Sequence, residues 1–289
     1  MQIVNNYALS RKNVLGLQQN RNTKYPQLLQ VNNYPPVSKS AVLSFSGAKK
    51  TKALETFVET VYRNILKESH TKNGPKFVIK VSPFAGGYSP TKGEFTFSRT
   101  MLKKKPESIG NIVKHELTHF EQFSLIARLP NGIQRLWDVL IASEKKSTTL
   151  EKTLKERNIF DDFLLRNKEK KKALLEQLNE KPDFEKFKTF YEKIVKEKGE
   201  LTPGSIESFQ AVDYLHAVKN YPNVGNLLVS FKDYKNVWVG IKEKAKTLYN
   251  YILSPLEQEA YKKGADFETE NKIQLKELRR QVIKGQNQG

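Results

Sequence analysis

His115-Glu116-Leu117-Thr118-His119, set between Pro106 and the break at Pro130-Asn131-Gly132, is the stretch on which the reading of this chain turns. Proline is tolerated at the first helical position and glycine and proline end helices, so the two breaks predict one helix between them. Ile112, Val113, Leu117, Phe120, Phe123 and Ile126 recur at helical spacing through it. Residues four apart share one helix face, so both imidazoles can aim a ring nitrogen at a single ion at about 2.0–2.1 Å. Glu116 is rotated by about a third of a turn from His115 and lies off that axis, where it can reach a water held by the ion. The spacing divides the labour: two ligands, and a carboxylate that takes a proton from the water and later returns it to a leaving amine.

A catalytic zinc keeps three protein ligands and one open position. A third histidine six residues after the second, with glycine between, would need Gly and His where Gln122 and Leu125 stand, which excludes the metzincin pattern. The other histidines are His70, ahead of the first strand, and His216, on an expected helix. A carboxylate from a later helix fits better, and Ser254-Pro255-Leu256-Glu257-Gln258-Glu259-Ala260-Tyr261 offers two. Ser254, Pro255 and Glu257 form a capping box, which gives Glu257 a structural task at the helix start. Glu259 is therefore the expected ligand and Glu257 the fallback, since residues two apart on a helix point in nearly opposite directions. Tyr261 and His216 are candidates to stabilise an oxyanion, and Asp266 is a candidate to orient a ligand histidine.

Outward from the motif, Leu54, Phe57, Val58, Val61, Tyr62 and Ile65 give Lys52 to Ser69 an amphipathic helical pattern. Lys76 to Val81 has the β-branched and aromatic content of a strand, and Gly86-Gly87-Tyr88-Ser89-Pro90 reads as a flexible turn. Glu94-Phe95-Thr96-Phe97-Ser98 alternates polar and aromatic residues as a strand with one buried face does. Further helices are expected at Ile133 to Ser143, Ile206 to Val218 and Lys232 to Leu253, with a last one after Pro255. Residues 144–200 alternate Glu and Lys around spaced apolar residues and predict a long charged helical insertion, followed by a linker from Gly199 to Gly204. Residues 1–48 show no sustained period and predict a flexible leader, leaving one domain over 49–289 that carries the motif and the insertion. The order is α+β, predominantly helical, with a small antiparallel or mixed sheet beside the motif helix.

Composition narrows the function classes. The chain has no cysteine, which removes disulfides, thiol nucleophiles and thiolate zinc sites, so any metal is held by nitrogen and oxygen. Its apolar runs fall short of the roughly 18 residues a membrane span needs. No ordinary signal peptide is readable, so a cytoplasmic location is the default expectation, with non-classical export left open. A net charge of +19 suits anionic partners, but the excess is lysine, and the few arginines are scattered. Nucleic acid is thus a less favoured partner than a peptide or protein substrate, and a basic helical interaction module with an accidental motif is the alternative function.

The motif with a later glutamate resembles the gluzincins, zinc metallopeptidases that carry His-Glu-x-x-His on one helix and a glutamate ligand on another. The similarity covers residues 111–123 and 254–266. It implies zinc ligation by His115, His119 and Glu259, and Glu116 as general base. It also implies an extended substrate laid against an edge strand, here Glu94, Phe95, Thr96, Phe97 and Ser98. The thermolysin-like pattern has Asn before the ligand glutamate and an acidic residue four after it, whereas this chain has Gln258 and Lys263.

Overall fold

A computed structural model describes residues 45–81, 85–142, 182–221 and 237–287. The expected leader, apart from its last residues, lies outside these, as does most of the charged insertion. The described chain is mostly helical with one three-stranded mixed sheet.

Helix α1 (Phe45–Glu68) begins seven residues before the apolar pattern does, and buries Leu54, Phe57, Val58, Val61 and Ile65. Thr71, after the turn at His70, opens the way to β1 (Lys76–Lys80), which is followed by β2 (Gly86–Ser89) and β3 (Glu94–Ser98). The sheet order is β1-β3-β2, with β3 parallel to β1 and antiparallel to β2. Phe95 pairs with Phe77 on one side and with Tyr88 on the other. This arrangement corrects two expectations. Glu94–Ser98 is the central strand, so it has no free edge for a substrate, and Thr96 and Ser98 are buried along with Phe95 and Phe97. The glycine-rich segment read as a turn is instead β2, one of the two edge strands. Its glycine is what lets it lie there: a Cβ on Gly86 would stand 2.9 Å from Ile112 and 3.2 Å from Glu116 of the motif helix.

Helix α2 (Pro106–Ala127) has proline in its first turn as expected and carries the motif through its middle. It runs through the core, burying Ile109, Val113, Leu117, Phe120 and Ile126. Residues 132–142 form α3. Of the expected insertion, Phe184–Lys198 form α4, capped by Asp183 and packed into the main core through Phe187, Tyr191 and Ile194. The expected linker after it is anchored, because Leu201 is buried and its N–H donates to the carbonyl of Arg128 at 2.8 Å.

Helices α5 (Ile206–Lys219), α6 (Val237–Ile252), α7 (Pro255–Glu270) and α8 (Lys272–Asn287) complete the described fold. The last expected helix is thus two, joined at Asn271. Helix α7 lies close across α2 because Gly264 has no side chain. A Cβ there would sit 2.6 Å from the Oδ1 of Asn111 and 3.0 Å from its carbonyl. Gly110 does the same for Leu275 of α8, which would approach a Cβ to 2.6 Å. These close approaches bring the start of α7 over the motif.

Candidate metal centre

His115 and His119 turn their rings toward one point, with Nε2 atoms 3.2 Å apart and rings nearly perpendicular. Both side chains are buried. Their ligand atoms and a carboxylate oxygen of Glu116 all lie within 4.8 Å of one another, so the three residues can hold a metal ion.

A second carboxylate stands closer. Oε1 of Glu257 is 3.3 Å from the Nε2 of His119, and its Oε2 is 3.3 Å from the Nε2 of His115. Four-coordinate ligand atoms at about 2.0–2.1 Å from one ion are spaced roughly 3.3 Å from each other. The two Nε2 atoms stand at about that spacing from each other, and each has one of the two Glu257 oxygens at that spacing. Glu257 is also only 1% exposed, and its Oε2 makes no hydrogen bond, since its approach to His115 lacks hydrogen-bond geometry. An unpartnered buried carboxylate oxygen is costly, and a cation placed between it and the imidazoles would remove that cost. This donor set of nitrogen and oxygen fits a divalent ion.

The geometry reverses the expected ranking of the two glutamates. Ser254 does cap α7 by position, yet its side chain makes no capping bond and its buried Oγ has no partner. Glu257 is therefore not engaged in a capping box. Burial pushes its carboxyl up, but the two imidazoles and the hydroxyl of Tyr221 outweigh this and hold it well below the usual carboxylate range. Glu259 faces elsewhere: Oε2 accepts from Gln122 Nε2 at 3.0 Å and from the Tyr214 hydroxyl, and Oε1 is 2.9 Å from Lys263 Nζ. It does not reach the two imidazoles as a ligand would. Residues two apart point apart, and α7 turns the first of the pair toward the histidines.

Glu116, the third member of the motif, is held from another direction. The N–H of Tyr88 leaves the sheet to donate to Glu116 Oε2 at 2.9 Å, which ties this carboxylate to the edge strand. Tyr261 lies beside the centre, its ring 4.6 Å from that of His115, and is about half exposed. His216 and Asp266 are exposed, and Gln122 rather than Asp266 meets the Nδ1 of His119. His70 lies at the far end of α1, against a cavity of about 680 Å³ lined also by Arg63, Lys67 and Lys72.

Three residues at the centre escaped the sequence reading: Tyr221, Tyr251 and Gln122. Tyr221 donates to Glu257, and the ring of Tyr251 packs edge-on against that of Tyr221 at 5.7 Å. Burial pushes both phenols far above their ordinary value, and the neighbouring Glu257 charge adds to it, so both remain protonated donors. One signal in the sequence did favour Glu257. Leu256, Ala260 and Gly264 mark the buried stripe of α7, and Glu257 stands three and seven residues before the last two.

No protein-family model matches this chain, and no curated protein or solved structure matches it. Among the described residues no helix is long and apolar enough to cross a membrane.

Proposed function

We propose that this protein is a zinc-dependent peptidase of gluzincin type, with His115, His119 and Glu257 holding the ion and Glu116 acting as general base. The observation that carries the reading is the spacing of 3.2–3.3 Å among the two Nε2 atoms and the Glu257 carboxylate in a buried site. A divalent ion bound there supplies positive charge that polarises water and a scissile carbonyl. Zinc is favoured because histidine nitrogens with one carboxylate are a set it takes readily in hydrolases.

The chain's own residues supply the rest. Glu116 takes a proton from the attacking water and hands it to the departing amine, which asks a carboxylate to face the reacting groups without joining the ligands. Its hydrogen bond from Tyr88 holds it at the edge of the sheet. β2 is paired to β3 alone among the described strands, so its outer side can align an extended peptide by strand addition, in place of the central strand first expected. Tyr261, whose ring lies 4.6 Å from that of His115, and Tyr251, whose ring packs against that of Tyr221, are the candidate donors to a developing oxyanion.

Glu116→Gln separates this reading from a merely structural motif. The variant is expected to retain stoichiometric zinc by elemental analysis and to lose peptide cleavage by a factor of about 10² or more, measured on a mixture of unstructured peptides. Purified protein that takes up no zinc, or a Glu116→Gln variant that cleaves as well as the parent, would overturn it.

A further inference from the structure

Glu259 lies two residues beyond Glu257 on α7 but serves the opposite side of His119. Gln122, one turn after His119 on α2, stands between them and is 2% exposed. Its Nε2 is 3.1 Å from the carbonyl oxygen of Leu256 and 3.0 Å from Oε2 of Glu259. Neither oxygen has a proton to give: one is a carbonyl, the other a carboxylate. The NH2 end of the amide must therefore face α7, which leaves its Oε1 facing Nδ1 of His119 at 3.0 Å. An amide oxygen only accepts, so Nδ1 carries a proton. In the neutral imidazole the lone pair then stands on Nε2, the atom 3.2 Å from Nε2 of His115 and 3.3 Å from Glu257.

We propose that Glu259 and Gln122 are positioning residues for His119: the Glu259 carboxylate and the Leu256 carbonyl orient the Gln122 amide, and the amide fixes the ring tautomer that presents Nε2 to a metal ion. This rests on the metal-site reading above.

Glu259 is itself held in place. The Tyr214 hydroxyl donates to it from α5, with Gln210 donating to Tyr214 in turn. Lys263 bridges Glu259 at 2.9 Å and Glu121 at 3.4 Å, and Glu121 also pairs with Lys114 at 3.2 Å. Burial alone would push Glu259 up, but these donors outweigh it and keep the carboxyl below its usual range. The network spans α2, α5 and α7, so α5 contributes to the centre without touching it. One helix thus delivers two carboxylates with different tasks: Glu257 toward the ion, and Glu259 behind one of the rings that would hold it.

The test compares zinc binding, measured by competition with a chelator, and the imidazole N–H signals of ¹⁵N-labelled, zinc-loaded protein. The parent is expected to bind zinc and to show a slowly exchanging Nδ1–H signal from His119. Gln122→Leu should weaken zinc binding roughly 10- to 100-fold and abolish that signal. Glu259→Ala should act in the same direction, while Glu259→Gln, whose amide oxygen can still accept from Gln122 and Tyr214, should stay within about threefold of the parent and keep the signal. If Gln122→Leu does not fold, the two Glu259 variants carry the comparison. A parent that binds tightly alongside Gln122→Leu and Glu259→Ala variants of equal affinity would overturn the positioning role alone, as would a His119 proton found on Nε2. A parent that takes up no zinc would bring down the metal-site reading and this proposal together.

Discussion

The middle of α2 and the first turns of α7 each bring polar side chains to the same centre, by different routes. On α2 the partners are four residues apart on one helix, so their convergence is a local property of helical geometry and survives any change elsewhere that leaves the helix intact. On α7 the useful carboxylate is one of two, and which of them faces the histidines depends on how that helix is rolled and how closely it lies against α2. Gly264 and Ala260 set that approach. A site assembled this way is strong where it is local and sensitive where it is tertiary.

The largest effects are expected from removing each carboxylate of α7 in turn. Glu257→Ala is expected to lower zinc affinity by about 10³-fold or more, since it would delete a proposed ligand, whereas Glu259→Ala would keep the proposed ligands and lose about 10- to 100-fold. Calorimetric titration with zinc decides between them. Equal losses would mean that α7 does not distinguish its two glutamates.

A smaller effect should follow from moving the whole helix. Gly264→Ala puts a methyl 2.6 Å from Asn111 Oδ1 and 3.0 Å from its backbone oxygen, and backbone has little room to yield. A loss of about 1–3 kcal/mol is expected in denaturant unfolding, along with weaker zinc binding, because Glu257 and Glu259 shift together. Unchanged stability would show that the contact between α7 and α2 is looser than Gly264 implies.

The smallest effect is in the pH dependence of the metal-free protein. Burial lowers the affinity of His119 for a proton, but Glu257, Glu116 and Gln122 outweigh it and raise its pKa above the ordinary 6.5. That contribution to stability is complete below about pH 6.5 and is lost as pH rises through the raised value. Glu257 is depressed below the ordinary 4.5, so its contribution is present above that pH and is lost on acidification through the lowered value. The metal-free melting temperature should therefore be highest between about pH 4.5 and 6.5 and fall toward pH 9, a slope that Glu257→Gln should flatten. Added zinc should reverse the trend on the alkaline side, since the ion competes with protons for the same imidazoles.

The helix with its motif was legible because every requirement lay within a few turns: the Pro106 start, the apolar period through Ile126, and the spacing of His115, Glu116 and His119. Helices α5 and α7 were legible for the same reason. The glycines of β2 misled, because local rules read Gly86-Gly87 as a turn, whereas pairing with β3 and close contact with Ile112 and Glu116 make it an edge strand beside the motif helix. The alternation in Glu94–Ser98 predicted one buried face, but neighbours on both sides and helices over the sheet bury four of its five residues.

The donor chemistry open to this chain is written in its residues alone. It has no thiols, it places two imidazoles and a carboxylate on one helix, and it offers two glutamates at the start of another. Which side chains meet is a matter of packing between distant elements: Glu257 rather than Glu259 lies against the imidazoles, Tyr221, Tyr251 and Gln122 stand at the centre, and Tyr88 lies against Glu116. The physical reason is that a side chain's direction within a helix is fixed by local geometry, while the neighbour it meets is fixed by how elements far apart in the chain pack. At this site that packing is set by residues with little or no side chain.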